Sequence, residues 1–409
     1  THFWNAQESY FSYDGSQNSP PEITHDISFR TGVTQRGIET YTPRLMIYDL
    51  KGGFGSIKKM NKLYEEVTEN DQDQLWDWKS EIHSQISYPK NEFLNSLEEE
   101  EERPFTSGST DHMDIDFEER NFNLDQTVKT WSDFNRIYYH PKSINTISEF
   151  TLDDDLFRFD VFTYGKNAFL RNQSEEDSFE ENFRFFAEEC DAIQGFQILT
   201  DVTNGFGGFA CGFLEQLREE YPKSAVLSFG ITETQKLASP GQESYTKQMI
   251  NSSLSTLQLT EMSSLFIPLN TSPSYGTMLK FIQPNFSLPY HSSSIISAAI
   301  ETATLPFRSR RGFTHMSNLI DRLLWRGNTK IGTLGLTFPF PLGELGNLYY
   351  PSDNNAIDLS LPQNHEQNFS TTYGQSIVIR GIPDELRLSP KFSDVTSDIF
   401  QRFQFSESG

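Results

Sequence analysis

The stretch TDVTNGFGGFACGFLEQLREEYP, Thr200 to Pro222, constrains this chain more than any other. An apolar run, Gly195–Leu199, leads into it, and Gly205, Gly207 and Gly208 crowd the next few positions. Ala210, Phe213, Leu214, Leu217 and Tyr221 then recur at helical spacing until Pro222 stops the pattern. The reading is a strand at Gly195–Thr200, a glycine turn, and a helix over Phe209–Tyr221. A helix over Glu180–Asp191 precedes this unit and a strand over Ala225–Phe229 follows it. Alternation of this kind builds a parallel sheet flanked by helices, an α/β fold.

The turn has two readings. Glycines between a strand and a helix amino end allow close backbone approach and positive φ, and the helix end offers unpaired N–H groups to an anion. The same letters also suit a tight turn with no ligand, and Phe206 and Phe209 are bulky for a phosphate cradle. A dinucleotide fingerprint over Gly205, Gly207 and Ala210 requires an acid at the end of the next strand. Here AVLSFGITE supplies only Glu233, late and past a glycine.

Elsewhere Leu45–Tyr48 reads as a short buried strand, with Asp49 at its carboxyl end and Gly52, Gly53 and Gly55 in the turn. A ligand wall is expected beyond such a strand end. Residues 61–145 turn acidic and polar, with the run Glu98–Glu102, and are expected to form a solvated or disordered insertion. Within it, VKTWSDFNRIYYHP (Val128–Pro141) is aromatic enough to pack on the fold. Further on, Thr246–Ser264 reads as a helix and SLFIPLN as a strand. Ser292–Leu305, apolar or small nearly all round, reads as a helix enclosed by two layers. After Pro306 a smaller β-rich region is expected, with KIGTLGLTFPFP and SIVIRGI as its strands.

Charge and composition exclude several functions. A net charge of −24 over 409 residues disfavours direct nucleic-acid binding, and its densest basic run is RSRRG. Two cysteines form no disulfide framework or CxxC pair, which fits a reducing compartment; eight histidines lack metal-ligand spacing. No apolar run reaches the length of a membrane span. The signatures of P-loop NTPases, HExxH metalloproteases and GxSxG hydrolases are missing from the sequence. The acids of LDDDLFRFD (Leu152–Asp160) read as a solvated turn. The opening residues read like the inside of a helix, so a preceding segment is expected.

The block AEECDAIQGFQILTDVTNGFGGFACGFLEQLREEYP resembles the tubulin segment that runs through a strand into the glycine-rich phosphate loop. THFW is similar to the start of the first tubulin helix, PRLMIYDLKGG to a strand with its second loop, and IVIRGI to a late strand of the second domain. With the acidic insertion, these blocks resemble the Misato family of tubulin-like proteins, of the fungal type. The resemblance implies a tubulin-like nucleotide-binding domain over 1–290, a central core helix over 291–305 and an α+β second domain over 306–409. It implies GTP or GDP with Mg as ligand. The positions that match tubulin nucleotide contacts are Asp49, Asn204, Gly205, Gly207, Gly208, Asn251, Asn270 and Tyr290. It also shows erosion: the glycine loop is one residue short, Lys51 stands where tubulins carry an acid, and Gln248 replaces a ribose-binding Glu. Asp321 is the nearest acid to a catalytic loop, and no catalytic residue or metal ligand is assigned. A non-polymerising scaffold or regulator is therefore expected, in mitochondrial distribution, morphology and inheritance; an active GTPase that switches partner binding is the alternative. The implied places are the mitochondrial outer surface, reached through proteins, and the cytoplasm. A cytosolic chaperonin is the implied folding partner.

Overall fold

The computed structural model describes residues 1–11, 23–33, 39–55, 57, 90–102, 122–234, 237–279, 282–310, 312–324, 327, 329–336, 357–360 and 374–380. The chain divides into two compact units, Thr1–Gln17 with His25–Phe157, and Asn18–Thr24 with Arg158–Gly409.

The first unit opens with helix α1 (His2–Glu8), followed by an antiparallel hairpin of β1 (Phe29–Val33) and β2 (Glu39–Pro43). Strands β3 (Ile47–Lys51) and β4 (Ile144–Thr151) pair in parallel. Its core gathers Phe54, Ile57 and Tyr139, with Trp4, Leu45, Ile47, Trp131 and Ile144 packed around them. The aromatic run Val128–Pro141 is folded into this unit, as its composition predicts, with Phe134, Ile137 and Tyr139 buried. Asp133 shapes that run by accepting from the backbone N–H of Lys129 (2.7 Å) and Thr130 (2.8 Å).

The acidic insertion departs from expectation where it is described. Its glutamate run belongs to helix α2 (Glu92–Glu102), which Asn91 caps by accepting from Leu94 N–H at 2.9 Å. Leu94, fully buried, and Phe93, edge-on to Phe122 at 5.5 Å, anchor the start of this strongly acidic helix. Residues 58–89 and 103–121 lie outside the described residues.

The second unit is built on a parallel sheet in the order β5 (Gly195–Asp201), β6 (Ala225–Thr232), β7 (Leu265–Asn270). Strand β6 is the central one, and its first six residues are all buried, as a strand covered on both faces requires. Its helices are α3 (Phe162–Glu175), a π turn (Phe179–Phe183) running into α4 (Arg184–Glu188), α5 (Gly205–Glu220) and α6 (Glu243–Met262). Helix α5 lies between α3 and α6.

Helix α7 (Pro289–Ala303) is the enclosed helix read from its small and apolar residues, with Ser292, Ile295, Ile296, Ala299 and Ile300 buried. It also buries Glu301, whose carboxylate meets Arg308 at 3.3 Å and pairs with Arg380. Helix α8 (Met316–Leu323) follows. The β-rich region is thinner than expected among the described residues. It shows β8 (Gly335–Leu336) antiparallel to β9 (Ile357–Asp358), while residues 374–380 form no ladder. Alternation in SIVIRGI suited a strand, but its described residues, 376–380, belong to no regular element and are tied to α7 through the Arg380 side chain; residues 381–382 lie outside the described residues.

Candidate functional site

The carboxyl ends of the three parallel strands are aligned. Asp201 stands opposite Ile231, and Thr232 stands opposite Asn270. In such sheets a ligand lies beyond this edge, so the segments there form the candidate site.

Val202, Thr203 and Asn204 lie between β5 and the next helix, and Asp201, the last residue of the strand, organises them. Its Oδ1 accepts from Thr203 N–H (2.7 Å) and Thr203 Oγ1 (2.6 Å), and its Oδ2 accepts from Asn204 Nδ2 (2.8 Å). Asn204 is thereby oriented as the cap of α5, its Oδ1 accepting from Phe206 N–H at 2.9 Å. Gly205 N–H donates to the Phe159 carbonyl at 3.0 Å. Two of the amide donors at the start of α5 are therefore taken up by the protein itself.

The expected boundary of this helix is corrected by four residues. Gly205, Gly207 and Gly208 form its first turn instead of a loop ahead of it, and none has positive φ. Packing explains them. A methyl on Gly205 would sit 2.8–2.9 Å from the Phe159 ring, and one on Gly207 would meet Ser255 of α6, with Ser255 Cβ at 3.0 Å. A methyl on Gly208 would strike the Phe162 carbonyl, its carbon 2.8 Å away, and Lys166 N at 3.1 Å. Across the crossing, a methyl on Gly165 of α3 would lie 2.8 Å from Phe209 N, and one on Gly212 would lie 2.7 Å from the Phe169 ring. Glycines at 165, 205, 208 and 212 thus bring the α3 and α5 backbones together.

The two phenylalanines of the motif take different places. Phe209 is buried and meets the Phe169 ring edge-on at 5.5 Å, inside the α3–α5 contact. Phe206 is half-buried and packs edge-on against Phe159 at 5.0 Å. Phe159 is therefore the ring that lies over the helix start, and its carbonyl takes the first amide. Its segment, LDDDLFRFD, reads as a solvated turn on charge alone, and Leu156 and Phe157 are indeed exposed. A residue buried two positions further on left no signal in that charge pattern.

Asn251, on α6, is 2% exposed and fastens the same region. Its Nδ2 donates to the carbonyls of Asp160 (2.7 Å) and Thr203 (2.9 Å), and its Oδ1 accepts from Phe162 N–H (2.9 Å). One side chain thus ties α6, the start of α3 and the loop after β5. Gln248, three residues earlier, accepts from Ala238 N–H at 2.9 Å. Structure brings Asn204, Gly205, Gly207, Gly208 and Asn251 together around the start of α5.

Asn270 ends β7. Its Oδ1 accepts from the buried Tyr275 hydroxyl, and its N–H donates to Leu359 O at 2.8 Å. Burial, then Asp358 nearby, raises the Tyr275 hydroxyl pKa well above the usual tyrosine value, so that proton stays in place for Asn270. Tyr290 is half-buried in the first turn of α7, its ring 5.6 Å from that of His291. Asp321 lies in α8.

Asp49 belongs to the first unit. Its Oδ2 accepts from Trp131 Nε1 (2.8 Å) and its Oδ1 from Leu50 N–H (2.7 Å). A methyl on Gly53 would fall 2.5 Å from this carboxylate, so the glycine turn folds back over it. Burial raises the Asp49 pKa above the usual carboxylate range, and the two hydrogen bonds oppose that rise. Lys51, at the end of β3, is exposed.

Among the described residues no group of three or more His, Cys, Asp and Glu is placed to hold a metal ion, and no helix is long and apolar enough to cross a membrane.

Comparison with known proteins agrees with this architecture. The Tubulin domain model matches residues 123–309, and the Misato Segment II tubulin-like domain model matches residues 1–99. Protein DML1 of Gibberella zeae is 36% identical over 323 residues, covering 79% of this chain and 60% of its own. Protein dml-1 of Neurospora crassa is 35% identical over 351 residues, covering 84% and 61%. Protein misato homolog 1 of Danio rerio is 30% identical over 424 residues, covering 95% and 70%. The chain spans about 60% of the length of the fungal relatives it matches. Sequence similarity to the zebrafish protein runs along nearly the whole chain, and the two tubulin-like domain models match most of it: the chain belongs to the Misato family of tubulin-like proteins.

Proposed function

We propose that this chain is part of a non-polymerising tubulin-like protein that acts in mitochondrial distribution, morphology and inheritance, as a scaffold or regulator with a degenerate GTP site. One observation carries the mechanistic half of the reading. The start of α5, where a tubulin-type loop would receive phosphate, is filled by the chain itself: Phe159 O takes the Gly205 amide, Asn204 takes the Phe206 amide, and the Phe159 ring covers Gly205. An anion arriving there would have to displace protein hydrogen bonds, which removes the gain that makes helix starts attractive to phosphate. The mitochondrial half rests on family membership. On this reading the protein works at the mitochondrial outer surface, reached through protein partners, and in the cytoplasm, with a cytosolic chaperonin assisting its folding.

The test is to purify the full-length protein, identify any released nucleotide by chromatography, and assay turnover. The expected result is no stoichiometric guanine nucleotide and a melting temperature unmoved by GTP with Mg²⁺. Bound GTP with multiple turnovers would establish the alternative, an active GTPase whose cycle switches partner binding. Asn270 at the β7 end and Tyr290 at the start of α7 are the residues that alternative would use. Depletion in a fungal host with imaging of the mitochondrial network tests the cellular role; an unchanged network and unchanged inheritance would sink it.

A further inference from the structure

Helix α6 carries a solvent-facing stripe of unexpected chemistry. Its inner face holds the buried Asn251, Ser255 and Leu259. On the outer face, Ile250 (53% exposed), Leu254 (38%) and Leu257 (65%) stand at the four–three spacing of a coiled-coil seam. Charge closes the seam at both ends. Exposed Glu243 and half-exposed Lys247 precede it, 3.4 Å apart. Exposed Glu261 follows it, and Lys330 donates its ammonium to the Glu261 carbonyl at 2.6 Å. Along the helix the order is therefore acid, base, three apolar residues, acid, and Lys330, from a later segment, adds a base beside that last acid.

We infer that this face is the self-association surface of the protein, on which α6 packs antiparallel against α6 of a second copy about a two-fold axis through Leu254. The charge order selects both the occupant and the direction. Lys247 lies seven residues before Leu254 and Glu261 seven after it, so an antiparallel pair sets Lys247 against Glu261 of the second copy at both ends. Glu243 then faces the end where Lys330 sits. A parallel pair would set every charge against its like, which is unfavourable. Leu254 meets its own counterpart, and Ile250 meets the neighbourhood of the second copy's Leu257. Lys247 already lies 3.8 Å from Asp160, but with its side chain 43% exposed it remains free to pair across the axis. A two-fold contact uses the same patch on both partners and closes on itself. This association gives a dimer, not a filament, and it makes no use of nucleotide. Three apolar side chains make a seam smaller than the roughly 800 Å² per partner of a standard interface. The dissociation constant expected is on the order of 10 μM, weaker at high salt.

Sedimentation velocity of the full chain from about 1 to 100 μM tests this, and concentration-dependent dimerisation is the expected result. Leu254→Ser with Leu257→Ser leaves a monomer throughout; Leu257→Ser alone, at the more exposed of the two positions, weakens the dimer with a nearly unchanged melt. Lys247→Glu alone or Glu261→Lys alone weakens the dimer roughly tenfold, and the double swap restores it. Leu254→Cys, on the axis, forms an intermolecular disulfide under mild oxidation that the parent chain does not. A chain that stays monomeric at 100 μM overturns the proposal. So does a dimer indifferent to the Leu254 and Leu257 changes, or a double charge swap no stronger than either single one.

Discussion

Replacing Gly208 by alanine separates the two reasons a glycine can stand at the start of α5. If the position is an open phosphate contact, alanine relieves a poor helix former and stabilises the protein by about 1 kcal/mol. Its close approach to α3 demands the opposite. The added methyl would lie 2.8 Å from the Phe162 carbonyl carbon and closer still to its oxygen, where ordinary contact begins at 3.4 Å. Helix backbone is the obstacle, so no side chain can swing away, and α3 and α5 must separate by more than half an ångström. That separation loosens Phe209 against Phe169 and strains the Gly205–Phe159 hydrogen bond. Overpacking of this kind costs about 1–3 kcal/mol, and the rigid obstacle puts this case at the upper end, so the net expectation is a loss of about 2 kcal/mol. Gly276→Ala is the matched control, because its methyl would meet only Phe286 at 3.4 Å. Urea unfolding of both variants measures the difference. A Gly208→Ala protein as stable as the parent, or more stable, refutes the packing account of the glycine motif.

Other consequences can be read from single side chains. Glu301→Gln leaves Arg308, 1% exposed, without its buried counter-charge and should destabilise by about 3 kcal/mol in urea unfolding; adding Arg308→Met should recover part of that loss. Cys211 is buried, and burial followed by the nearby Glu215 pushes its thiol up to about 12, so at pH 8 a thiol reagent should label half-buried Cys190 well before it. Equal labelling rates in the native protein would contradict that. Asn251→Ala strips three hydrogen bonds from buried backbone groups, and a loss of about 3 kcal/mol is expected from denaturant unfolding. Asp49 gives a pH signature. Its raised pKa means the native state holds this proton more tightly than the unfolded chain, so its contribution is full below about 3.8 and is lost as pH rises through the folded value. Asp49→Asn removes that titration, so parent stability relative to the variant should fall as pH rises from about 4; a pH-independent difference would show that the carboxyl is not perturbed.

The sheet and its helices were legible because they are locally written. Strand β6 is a largely apolar run, α5 repeats Leu214 and Leu217 on one face, and Tyr221 caps it just before Pro222. Helix α7 announced itself by residues small enough to be surrounded. What the sequence hid was non-local. Residue alternation in SIVIRGI cannot report whether a neighbouring strand is there to pair with. Charge density in the glutamate run cannot report that Leu94 finds a core position. Phe157 and Phe159 are two letters apart, one exposed and the other over the start of α5, and nothing in the charge pattern of LDDDLFRFD separates them.

The glycine motif is the instructive failure of local reading. Dense glycine after a strand suggests backbone freedom, and the same letters arise when two helices cross with no room for a Cβ. The distinction lies in spacing: Gly205, Gly208 and Gly212 share one face of α5, and they find Gly165, Phe162 and Phe169 on another helix about 40 residues earlier. Such a requirement persists whether or not any phosphate binds. The α3–α5 crossing would keep these glycines in a protein that had lost nucleotide altogether, because each alanine would force backbones apart. Likeness in this loop therefore testifies to the fold, and a nucleotide claim has to be carried by groups outside this helix crossing, half-buried Tyr290 before any of the glycines.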